Sequence, residues 1–128
     1  MTASVVPPPS SAHTLRPAGR ALAACRAVQA IAAAAFGVAP AELRAATRGQ
    51  AAVAFARQAA MYLAHVALGL SYTEIARAFG RDRTTAAHAC ALIEGRRDDP
   101  RIDALLNGLE HACQALMAPV APRGEAGR

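Results

Sequence analysis

The chain has 128 residues, enough for one domain with tails and for a core built without metal or disulfide staples. Hydrophobic residues make up 54%, but much of this is alanine, and valine, isoleucine and aromatics are sparse. Alanine is the best helix former and packs closely, so strands are hard to place and an all-α fold is expected. The net charge is +5 and all 14 basic residues are arginine, whose planar fork suits phosphate and guanine.

Residues 1–18 contain PPPSS and little periodicity and read as a disordered tail; residues 118–128 (APVAPRGEAGR) read the same way. The residues between form one domain, 19–117. LAAC at 22–25 resembles a lipoprotein cleavage box, but two arginines and a proline precede it where a signal needs an unbroken apolar stretch. Secretion is therefore not expected. A first helix is predicted over 19–36, with Leu22, Cys25, Val28, Ile31, Ala35 and Phe36 at helical spacing and Gly37 at its end. A short second helix, 40–46, opens on Pro40. The third, 49–69, contains an apolar run long enough to raise the question of a membrane span. Arg57, Gln58 and His65 interrupt it, so a buried core helix is expected instead.

The fourth helix starts at SYTE. Ser71 as N-cap and Glu74 three residues on make a capping box, and Gly80 ends the helix after Phe79. The fifth begins near Asp82 or Arg83 and runs to Arg96. Asp98 or Asp99 followed by Pro100 then starts a sixth, 100–117. The cysteines Cys25, Cys90 and Cys113 are odd in number and share no CxxC spacing. They read as buried free thiols in a reducing cytoplasm, with no zinc site.

Helices four and five, joined by a glycine turn, have the order of a helix-turn-helix. Ala76 falls where the two cross, Gly80 supplies the turn, and Ile75, Phe79, Ala86 and Ala89 are placed to form their joint core. In such motifs the first turn of the second helix enters the major groove. That turn here is the polar run Arg81, Asp82, Arg83, Thr84 and Thr85. Arg81 and Arg83 suit guanine or a phosphate, and the threonines suit the thymine methyl and a base edge. Asp82 suits cytosine, or a helix N-cap, or both. The charge distribution agrees. Residues 44–83 carry six arginines against Glu74 and Asp82, whereas residues 94–110 carry three arginines against five acids. A clustered basic face suggests nucleic acid, although a solvated arginine-rich surface would show the same charges.

The segment from Arg57, ARQAAMYLAHVALGLSYTEIARAFGRDRTTAAHAC, resembles the C-terminal DNA-binding domain of the bacterial replication initiator DnaA, whose pattern is ARQxAMYLxR, GLSxxEIGxxFG and GRDHTTVxHAC. The resemblance covers about residues 20–117 and implies a Trp-repressor-like helix-turn-helix fold. It implies base contacts from Asp82, Arg83, Thr84 and Thr85, and phosphate contacts from Arg57, Gln58, His65, Tyr72, Thr73 and His88. It also implies a minor-groove arginine at Arg48 or Arg44. His65 reads equally well as a surface histidine with no partner. Three departures stand out: Arg83 replaces a histidine, FGGRD is shortened to FGRD, and HACRKI becomes HACALI.

No phosphate-cradling GxxxxGK[ST] loop occurs, and no paired carboxylates, Ser/His/Asp set or cofactor motif appears at useful spacing. The expectation is therefore a non-enzymatic, cytoplasmic, nucleoid-associated protein without cofactor, nucleotide or metal, bound as a monomer to double-stranded DNA at DnaA-box-like sites. It would regulate replication or transcription by occupancy. The alternatives are a helix-turn-helix transcription factor with unrelated targets, and an interaction adaptor that has lost DNA binding, which the acidic sixth helix would suit.

Overall fold

Alanine packs helices at short range but gives each contact little apolar area, so the fold depends on a few large side chains set among many small ones. The computed structural model describes residues 18–45 and 51–117. The expected tails lie outside these residues, except that Ala18 opens the first helix. Six helices follow in order: α1 (Ala18–Phe36), α2 (Pro40–Arg44), α3 (Ala51–Val66), α4 (Tyr72–Phe79), α5 (Arg83–Arg96) and α6 (Pro100–Met117). The all-α expectation holds.

Helix α3 is central. Val53, Ala56, Ala59, Ala60, Met61, Leu63 and Ala64 are all buried, and the helix packs chiefly against α1 and α5. Helix α4 lies between α1 and α5, while α6 rests on α1 and α3. The largest fully buried side chains, Phe79, Leu43, Met61, Leu63, Ile75, Ile93 and Leu106, come from five different helices. Each contributes about 1.5–3 kcal/mol through burial. The apolar run that raised the membrane question is this core helix. No helix among the described residues is long and apolar enough to cross a membrane.

The expected elements differ from the observed ones mainly at α3, which ends at Val66 rather than 69. The Leu70 amide turns back to the Ala64 carbonyl at 3.1 Å, and Gly69 takes a φ of 75°. The chain thus leaves the helix before its glycine. Helix α2 is shorter than expected because the chain is already extended at Ala45.

Cys25, Cys90 and Cys113 are free and buried. Burial raises the Cys25 thiol to about 12 and the other two to about 11.

Candidate nucleic-acid interface

The turn between α4 and α5 is built by backbone geometry. Gly80 sits at φ 68°, the left-handed region that glycine enters without a Cβ clash. Its N–H reaches the Arg77 carbonyl at 3.4 Å, and the Arg81 N–H reaches the Ala76 carbonyl at 2.9 Å. These are the two bonds of a Schellman ending. Asp82 then caps α5, its Oδ1 accepting from the Thr85 N–H at 2.8 Å. That bond holds the carboxyl below the usual aspartate range. The shortened turn therefore still closes a helix-turn-helix, with Arg81 alone between the glycine and the cap. Ile75, Ala76, Phe79, Ala86 and Ala89 are buried, as the joint core requires.

One edge of the motif is left open. Asp82, Arg83, Thr84 and Thr85 are exposed in succession, and His88, one turn on, is exposed as well. Beside them stands the start of α4. Ser71 Oγ accepts from the Glu74 N–H at 3.1 Å, and Glu74 Oε1 accepts from the Ser71 N–H at 2.9 Å. The N–H groups of Tyr72 and Thr73 open the helix with no intrahelical acceptor, and Thr73 is exposed. The guanidinium of Arg83 lies 5.8 Å from the Tyr72 ring centroid, a cation–π contact that joins the two helix starts into one surface. Tyr72 also stacks on His65, with centroids 4.4 Å apart.

Several basic residues expected on this surface are occupied within the protein. Arg57 is buried rather than free: its Nε donates to the Leu43 carbonyl at 2.9 Å and its Nη2 to the Glu42 carbonyl at 3.1 Å. It closes the C-terminal end of α2, where the Glu42 carbonyl also accepts from the Ala45 N–H at 3.3 Å. His65 has a partner, its Nδ1 donating to the Leu70 carbonyl at 2.9 Å. Arg81 is half-buried and donates through Nη2 to the Ala45 carbonyl at 2.8 Å. Arg44 donates to Oε1 of the fully buried Gln29. Gln58 is half-buried on α3. Arg48 lies outside the described residues.

The acidic character expected of α6 is largely internal. Asp103 and Glu110 both pair with Arg97, one of the three arginines of residues 94–110. Nothing in the local pattern RRDDP signals this, because the partners come from the far side of a turn. Past His88, the exposed face of α5 carries Ala91 and Leu92. No group of three or more metal-ligating side chains occurs among the described residues.

The comparisons with known proteins agree with this geometry. No curated protein sequence matches the chain. A solved structure described as a DNA replication initiation factor is similar over 78% of this chain, at 26% identity and a TM-score of 0.71. The match takes in 31% of that larger chain, so this protein spans about a third of its length. The family model for the bacterial DnaA helix-turn-helix matches residues 25–93, more than half of the chain, with the whole of α2 to α4 and most of α5. By that match, the chain belongs to the bacterial DnaA helix-turn-helix family.

Proposed function

We propose that this protein binds double-stranded DNA at DnaA-box-like sites and regulates replication or transcription by occupancy, as a monomer and without hydrolysing ATP. The observation that carries the reading is the exposed run of residues 82–85 at the start of α5, set beside the open N-terminus of α4. An α-helix start of this kind fits the major groove, and the adjacent helix start offers N–H groups to a phosphate. In this reading Asp82, Arg83, Thr84 and Thr85 meet base edges, and Asp82 does so while capping its helix. Tyr72, Thr73, Gln58 and His88 hold phosphates. His65 acts through Tyr72 or through its free ring nitrogen, and Arg57 braces α2 instead of reaching out. Arg48 or Arg44 enters the minor groove. The expected location is the cytoplasm, on the nucleoid.

A second reading is supported by Arg83 itself. It stands where the family pattern has histidine, and its contact with Tyr72 draws it toward α4. A helix-turn-helix regulator with a different target would carry such a change. The adaptor reading loses support, since both acids of α6, Asp103 and Glu110, are already paired with Arg97.

Selection of preferred sites from random duplexes tests all three. Enrichment of DnaA-box-like sequences, with affinity that falls steeply as salt rises, is the expected result. Enrichment of an unrelated sequence supports the second reading, and no duplex binding at all supports the adaptor.

A further inference from the structure

Two guanidinium groups from distant parts of the chain meet at the C-terminal end of α2. Arg57 takes the Glu42 and Leu43 carbonyls, and Arg81 takes that of Ala45, 36 residues away in sequence. A helix C-terminus carries unpaired carbonyls and a partial negative charge, so cations are favoured there. The groups are near enough that, after burial, the charge of Arg81 is the next cause lowering the Arg57 pKa. Arg81 therefore faces inward. Its backbone is held too, by its N–H on Ala76 at 2.9 Å, and the next residue caps α5. Both its main chain and its half-buried side chain are thus engaged within the protein, whereas residues 82–85 are all exposed.

We propose that Arg81 is a positioning residue for DNA recognition and not a DNA contact. By donating to Ala45 it sets the angle at which α5 leaves the shortened turn. The exposed edge at 82–85 is thereby held in register with the α2–α3 side of the molecule. The proposal rests on the DNA-binding reading and deepens it.

The wild-type full chain is examined first by NMR, free and bound to its selected duplex. Contacts between the Arg81 guanidinium protons and Ala45 are expected in both states, and their loss on binding overturns the proposal. Arg81→Ala is then compared with wild type on selected and scrambled duplexes across a range of salt. The ratio of selected to scrambled affinity should fall about tenfold, while the dependence of log affinity on log salt keeps the wild-type slope. A core variant of matched thermal stability, such as Ile93→Val, should keep the wild-type ratio. A slope shallower by about 0.9 in Arg81→Ala means a lost phosphate contact and overturns the proposal. A changed preference at one base position, with the others intact, means a base contact and overturns it equally. Absence of duplex binding by the wild type overturns instead the reading beneath it.

Discussion

The Tyr62 hydroxyl accepts from Arg97 Nη1 at 2.9 Å and donates to Glu94 at 2.8 Å, so one phenol in the central helix joins α3 to the last turn and C-cap of α5. Arg97 also donates through Nε to Asp103 at 2.6 Å, and it pairs with Glu110 and Asn107. The Arg97 side chain is only 14% exposed, while its partners Glu110 and Asp103 are 24% and 44% exposed, so the cluster is shielded from water mainly on the arginine side. This guanidinium adds a polar tie to the packing of Leu106, Leu109 and Cys113 that seats α6 on the core.

Arg97→Ala should therefore destabilise the protein by about 2 kcal/mol, above the effect of a surface ion pair, because it removes a half-buried cation shared by two carboxylates and a hydroxyl. Tyr62→Phe should cost about 1 kcal/mol. Urea unfolding checks both. Burial, ahead of its hydrogen bonds, raises the Tyr62 pKa above the usual tyrosine value. A raised folded-state pKa means that the folded protein holds this proton more tightly. The associated stability is complete below the unfolded value and is lost as pH rises through the folded one. An alkaline fall in melting temperature that is weakened in Tyr62→Phe is the expected signature.

Glycine substitutions should differ in sign by position. Gly80 has a φ of 68° with no atom within 4 Å of an added Cβ, so Gly80→Ala should cost about 1–2 kcal/mol through backbone strain alone. Gly108 lies within α6 in ordinary helical geometry and also in open space. Gly108→Ala should stabilise by about 0.5–1 kcal/mol. Thermal melts of the two variants that moved in the same direction would contradict this.

Asp82 combines a cap with a proposed base contact, and two substitutions separate them. Asp82→Asn keeps an oxygen for the Thr85 N–H and should leave the melting temperature near wild type while altering the selected site. Asp82→Ala should lower both stability and selectivity. Its carboxyl titrates below the ordinary range because it accepts from Thr85. The capping contribution is therefore present above the unfolded pKa and lost as pH falls through the folded one. Asp82→Ala should show less acid sensitivity in that window.

Arg83→His restores the residue of the family pattern and should move the selected site toward the DnaA box. Thr85→Ala should relax sequence preference at one position by about 1–3 kcal/mol. Unchanged site preference in both variants would remove the first turn of α5 from base reading.

Much of this was legible in the chain itself. The start and stop of α4 and the start of α5 follow from Ser71, Glu74, Gly80 and Asp82, because capping is a local matter of side chains and amides a few residues apart. The buried set Ile75, Ala76, Phe79, Ala86 and Ala89 follows from helical period and the small residue at the crossing. The roles of the arginines were not legible. Arg57, Arg81 and Arg97 look alike in sequence, yet each donates within the protein to an acceptor 6 to 36 residues away.

The amino-acid sequence by itself thus determined the helical class, the helix-turn-helix and the polar edge it presents, since period, caps and turn glycines act over a few residues. Only the tertiary structure decided which guanidinium groups are engaged within the protein. A guanidinium goes where unpaired carbonyls and carboxylates wait, and packing alone brings the end of α2 to Arg57 and Arg81, and α6 to Arg97.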